Sequence, residues 1–169
     1  MIKILGVTFI IVGCSSIGFI MAGNLSQEIT AVRNLIANLE YWKNAISYHH
    51  TPLPELCMLT HSMDRSVIGE YFGRLGEQLN KLGEIDATQC TVNALSLCPE
   101  MPPSCRRLLQ ALGRSLGKFD MSGQLQEINA VLEVARDTLT TLLSSQDSRI
   151  KCYKTLGICT GVAIAILII

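Results

Sequence analysis

Neither sign of charge is in excess in this chain: 14 Lys and Arg stand against 14 Asp and Glu. Nothing in that balance signals nucleic acid or an acidic substrate. Aromatic residues are scarce, at 5% of a chain that is 49% hydrophobic. A stock of Leu, Ile, Ala and Met favours helices over a sheet sandwich. No CxxC pair occurs among the seven cysteines, Cys14, Cys57, Cys90, Cys98, Cys105, Cys152 and Cys159. The odd number and the spacing argue against a disulfide framework or a zinc site, and read as free thiols in a reducing compartment.

Charged side chains are missing altogether from two stretches, 4–23 and 155–169. The first is long enough to cross the ~30 Å hydrocarbon layer of a bilayer as a helix. Gly6, Gly13, Gly18 and Gly23 are tolerated there, because small residues allow membrane helices to pack closely. The alternatives are a removable signal peptide and, at Ile11-Val12-Gly13-Cys14, a lipobox. The lipobox is opposed by the short segment before Cys14 and by the apolar run that continues past it. The second stretch reaches only about 22 Å and spans if Lys154 snorkels and the bilayer thins. Its alternative is a tail half-inserted or buried in a partner. Arg149, Lys151 and Lys154 crowd the inner flank of this second stretch, which places the middle region in the cytoplasm. Three parts follow: 1–23 and 155–169 as transmembrane helices, and 24–154 as a cytoplasmic helical domain.

The middle reads as about six helices in an antiparallel all-α bundle. Leu25, Ile29, Val32, Ile36 and Leu39 lie on one helical face, continued by Trp42 and Ile46. Only Gly23 separates this stripe from the membrane stretch, so the two are read as continuous. Thr51-Pro52-Leu53-Pro54-Glu55 is the strongest break, with Thr51 as N-cap and Pro52 as first helical residue. Asp64 caps a third helix that carries Val67, Ile68, Tyr71, Phe72, Leu75 and Leu79 and ends at Gly83. A fourth starts at Asp86 with Cys90, Leu95 and Leu97. Pro99, Pro102 and Pro103 make a turn before a fifth over 104–118. Leu125, Ile128, Leu132, Ala135, Leu139 and Leu142 follow heptad spacing in the sixth. No Pro or Gly interrupts the chain between Gly123 and Gly157, so that helix runs on into the second membrane stretch. The expected architecture is a stalk of two long helices with shorter helices packed on it.

Two patterns imitate chemistry. Gly113-Arg114-Ser115-Leu116-Gly117 matches the GxSxG nucleophile elbow, which would make Ser115 the nucleophile of a membrane esterase. That motif needs a strand before it and a helix after it, and here it falls inside a helical pattern. The better reading is that Gly113 and Gly117, four apart, let another backbone approach. His49, His50, Cys57 and His61 hint at a metal site, but lie across a break and read as a polar turn and helix surface. Neither a cofactor nor a small-molecule substrate is indicated.

Three stretches carry a resemblance: Tyr48-His49-His50-Thr51-Pro52-Leu53-Pro54-Glu55-Leu56, Leu112-Gly113-Arg114-Ser115-Leu116-Gly117-Lys118-Phe119-Asp120, and Lys154-Thr155-Leu156-Gly157 with the apolar tail. In order and length the chain resembles the stage III sporulation protein AB family of endospore-forming Firmicutes. The resemblance implies a helical domain similar to the platform proteins of type II secretion and type IV pili. It implies a non-catalytic place in the channel-like complex between mother cell and forespore, in the membrane on the mother-cell side. Its implied partners are the bilayer, an AAA-type secretion ATPase and other stage III sporulation membrane proteins. Without the resemblance, the chain reads as a membrane-tethered helical adaptor of some assembly. Leu53 and Glu55, on a stiff Pro-bounded turn, are the candidate partner-binding residues. The competing reading is that Thr51, Pro52 and Pro54 only fix the corner between two helices.

Overall fold

Among the described residues of a computed structural model, six helices account for the regular structure: α1 (Ile2–His49), α2 (Leu53–Met63), α3 (Val67–Asn80), α4 (Ala87–Ser96), α5 (Pro103–Ser115) and α6 (Met121–Ile168). The structure describes the backbone of residues 2–49, 51–80, 86–116 and 121–168, and side chains within 23–48, 51–80, 86–114 and 122–145, with Leu116 and Thr155. Among the described residues there is no strand, as the composition leads one to expect. Also among them, no helix is long and apolar enough to cross a membrane. Apart from Gly23 and Thr155, the side chains of the two expected membrane stretches lie outside the described residues.

The end helices are continuous, as expected. α1 runs through Gly23 without a break, and α6 runs from Met121 to Ile168. The chain divides into two compact units: residues 1–29 with 140–169, and residues 30–139. The first unit therefore consists of the opening part of α1 and the closing part of α6. The second holds the rest of both helices together with α2 to α5.

In the second unit the core of α1 is Val32, Leu35, Leu39, Trp42, Ala45 and Ile46. The expected stripe is right except at one register position. Leu35 is fully buried, while Ile36 is only half-buried. Trp42 joins three helices. Its indole stacks at a tilt on Phe72 of α3, with ring centroids 4.6 Å apart. Its Nε1–H donates to Thr60 Oγ1 of α2 at 2.7 Å, and the Thr60 hydroxyl donates on to the Leu56 carbonyl at 2.8 Å. A fully buried indole needs such an acceptor, because a lone buried N–H costs about 1–3 kcal/mol.

The helix starts differ from expectation at two places. The N-cap of α2 is Pro52 and not Thr51, with no side-chain cap. Proline at the cap and at Pro54 removes backbone donors that would otherwise lack partners, so no side-chain acceptor is required. Asp64 does not cap α3 directly. Its Oδ1 accepts from the Ser66 amide at 2.8 Å and its Oδ2 from Asn38 Nδ2 at 2.7 Å. Ser66 then caps α3, its hydroxyl accepting from the Ile68 amide at 3.2 Å. α4 starts at Asp86 as expected, and Asp86 is its N-cap, accepting from the Thr88 amide. Leu97 was expected in the core but is half exposed, at the C-cap of α4. α5 starts at Pro103 behind Pro102 and has its C-cap at Leu116. Arg106 ties α5 to α4 by donating to the carbonyls of Leu95 and Cys98, which are late-helix acceptors short of partners. Gly83, Gly117 and Lys118 lie outside the described residues.

In α6, Ile128, Val131, Leu132 and Ala135 are buried, whereas Leu125, Leu139 and Leu142 are half-buried. Glu40 of α1 accepts from Arg136 of α6 at 2.6 Å. Both groups are about half exposed, so the pair sets register more than it adds stability.

Candidate interaction surface

The corner after α1 turns on Pro52, whose φ of −61° and ψ of 145° are extended. Its carbonyl starts α2 by accepting from the Leu56 amide at 3.1 Å. Leu56 and Cys57 point inward and are fully buried. Leu53 and Pro54 are half-buried, and Pro52 and Glu55 are exposed. Glu55 sits in the first turn of α2, where a carboxylate also suits the helix dipole. Of the two residues expected to meet a partner, Glu55 is thus exposed and Leu53 half-buried.

The same helix shows more than the sequence reading found. Met58, Leu59 and Met63 are exposed on α2, and Tyr48, one turn before the corner, is 79% exposed. With Glu55 and Ser62 they make an outward face of mixed chemistry. A signal for it was available: Leu56-Cys57-Met58-Leu59 is a run of four apolar residues, and a helix cannot turn all four toward one side. Methionines adapt their shape to a partner more readily than branched side chains do.

α2 lies on α3 through three glycines. A Cβ on Gly69 would collide with the Asp64 carbonyl, one on Gly73 would stand 2.7 Å from the His61 ring, and one on Gly76 would stand 2.9 Å from Cys57 Cβ. The ring of His61 uses the room by donating from Nδ1 to the Gly69 carbonyl at 3.0 Å. These glycines, spaced four and three apart, went unnoticed in the sequence, though that spacing is one helical face.

Gly113 does mark a close approach, but to a side chain and not to a backbone. A Cβ there would run into the hydroxyl and methyl of Thr91 on α4. Its expected companion Gly117 lies outside the described residues. Residues 103–115 are one α-helix, so Ser115 does not have the strand and strained turn of a nucleophile elbow. Among the described residues no group of His, Cys, Asp and Glu could hold a metal ion. Cys57 is buried and His61 is exposed, so this i, i+4 pair does not converge. His50 and the side chain of His49 lie outside the described residues. Cys57, Cys90, Cys98 and Cys105 are buried and form no disulfide, and burial pushes the Cys57, Cys90 and Cys98 thiols up.

The sequence pattern of the family described as Stage III sporulation protein AB matches residues 3–169. The Stage III sporulation protein AB of Bacillus subtilis (strain 168) is 26% identical over 171 residues, covering 99% of both chains. A solved structure of a Stage III sporulation protein AB superposes with a TM-score of 0.61 at 22% identity, over 70% of this chain and 94% of that one. At that identity the solved structure supports the fold.

Proposed function

The chain belongs to the stage III sporulation protein AB family, and from that premise we propose that it is a non-catalytic membrane component of the channel-like sporulation complex between mother cell and forespore. Its helical middle faces the mother-cell cytoplasm and docks an AAA-type secretion ATPase and other stage III membrane proteins. The observation that carries this reading is the end-to-end match over residues 3–169, which takes in both uncharged ends as well as the helical middle. Arg149, Lys151 and Lys154 support the orientation.

On this reading the outward face of α2 is the docking surface. Leu53→Glu and Glu55→Lys, made in the full chain, test it. Neither side chain is fully buried, so the melting temperature should hold while co-purification of the ATPase from sporulating cells is lost. A lowered melting temperature with co-purification intact would show the corner to be structural only.

A further inference from the structure

We infer that residues 149–154 of α6 bind the phosphates of anionic phospholipid headgroups, an inference that rests on the membrane reading proposed above. The neutral total of the chain hides a split. Residues 24–148 carry 10 Lys and Arg against 14 Asp and Glu, whereas Arg149, Lys151 and Lys154 follow within six positions, and no acid stands among them or after them. α6 is helical through all of these residues and on to Ile168. At 1.5 Å per residue, Lys154, Lys151 and Arg149 stand about 1.5, 6 and 9 Å along the axis from Thr155, the first residue of the uncharged stretch. The headgroup layer of one leaflet is about 5–8 Å deep. A helix that enters the bilayer at Thr155 therefore carries its cations at the level of the phosphates.

Two features separate a lipid site from a run of merely solvated charge. Tyr153 is the one aromatic residue after Phe119. It falls about 3 Å along the axis from Thr155, at the level where tyrosine rings are favoured at membrane interfaces. Spacing along the helix also leaves two of the cations without an acid. Asp147 stands four positions before Lys151, the separation of an intrahelical ion pair, but neither Arg149 nor Lys154 has an Asp or Glu three or four positions away. α1 brings no cation to the same level. Its first charged residue after Gly23 is Glu28, and its first basic one is Arg33, about 15 Å along the axis. Recognition of the anionic lipid is therefore assigned to α6, and within it to Arg149 and Lys154. A guanidinium takes a phosphate through two parallel N–H donors, and an ammonium takes it as a point charge. The segment shares no residue with the α2 face, and the inference stands whether or not that face docks a partner.

The test reconstitutes the full chain in phosphatidylcholine vesicles that hold a trace of spin-labelled lipid, either phosphatidylglycerol or phosphatidylcholine, in both leaflets. Electron spin resonance reads the fraction of label whose motion the protein restricts. Phosphatidylglycerol should be held about fivefold more strongly than phosphatidylcholine, the scale of one cation near a membrane surface. Salt at about 0.5 M should erase most of that preference. R149Q/K154Q should lose it, K151Q should keep most of it, and the charge-preserving R149K/K154R should keep it, with the helical circular dichroism of all three unchanged. Equal restriction of the two lipids by the wild-type chain, or a preference unmoved by R149Q/K154Q, overturns the inference while leaving the chain in the membrane. Loss of the preference to inorganic phosphate, but not to chloride at matched ionic strength, assigns the cations to a soluble anion and overturns it too. No restricted label of either kind would mean that the chain does not enter the bilayer, and the inference would then fall together with the membrane reading.

Discussion

The Tyr71 hydroxyl is fully buried and has no partner at hydrogen-bond geometry; the Thr91 oxygen is the acceptor beside it, its own hydrogen given to the Ala87 carbonyl at 3.1 Å. Burial, more than any neighbour, drives the phenol above its ordinary value of 10.0, and it drives the Cys57 thiol above 9.0. For both groups the folded state holds its proton to higher pH than the unfolded chain does. Stability from this source is complete below the unfolded values. It falls as pH rises past about 9 and then 10, where the unfolded chain releases protons that the folded one keeps. Tyr71→Phe removes an unpartnered buried oxygen and one of the two titrations. We expect an unchanged or higher melting temperature at pH 7 and a shallower decline above pH 10; a clear loss at pH 7 would mean that the hydroxyl has a partner after all. Gly113 offers a second single-atom test. Alanine is the better helix former by about 1 kcal/mol, yet here its Cβ meets Thr91. Gly113→Ala should destabilise by about 1–3 kcal/mol, and part of that loss should return in the double variant with Thr91→Ala. Ser115→Ala should stay within about 0.5 kcal/mol.

Helix by helix, what could be read from the sequence was what depends on period and on local punctuation. The stripe of α1, the Asp86 cap, the proline turn and the uninterrupted run of α6 all rest on spacing or on a single residue's backbone preference. The misses share another cause. Ile36 and Leu35 are adjacent apolar residues, and only the neighbours of α1 decide which of them faces the core. Thr51 and Asp64 are good capping residues, but Pro52 needs no side-chain cap and Asp64 is engaged by Asn38, a partner 26 positions away. At the candidate surface, the stiff corner that carries Leu53 and Glu55 was legible from the double proline. That part of the run Leu56-Cys57-Met58-Leu59 must face outward was legible too, but not that Met58 and Leu59 are the part that does, since apolar content alone does not say which face of α2 packs on α3. The glycines of α3 were legible as spacing but not as contacts. They also allow a ranking by what each added methyl would strike. Gly69→Ala meets the backbone of Asp64, which cannot move aside, and should cost most. Gly76→Ala meets Cys57 Cβ, rooted on its helix, and should come next. Gly73→Ala meets the His61 ring, an exposed residue's side chain that can swing away at the loss of its bond to Gly69, and should cost least. Denaturant melts of the three variants check the order, and Gly73→Ala as the most damaging would refute it.

For the molecule as a whole, the same two helices supply both the uncharged ends and a large share of the core in residues 30–139. On the proposed membrane reading, orientation is a property of α1 and α6 together. On the proposed reading, the basic cluster Arg149, Lys151 and Lys154 beside the second uncharged stretch favours a cytoplasmic middle by the positive-inside tendency. Cysteine labelling is the natural measurement, but the chain's own interior thiols cannot report. Cys57, Cys90, Cys98 and Cys105 are all buried, and the protonated thiols that burial favours react slowly. They would stay unlabelled on either side of the membrane, so silence from them carries no information about topology. Reporters have to be placed on exposed helix positions such as Ser96 and Gln126, with the parent chain subtracting any signal from Cys14, Cys152 and Cys159. Ser96→Cys and Gln126→Cys should resist a membrane-impermeant maleimide in intact cells and label fully after lysis. Labelling of either position before lysis would place residues 24–154 outside the cytoplasm. In that case a cytoplasmic ATPase could not be the partner of α2, however well its outward face is built for docking.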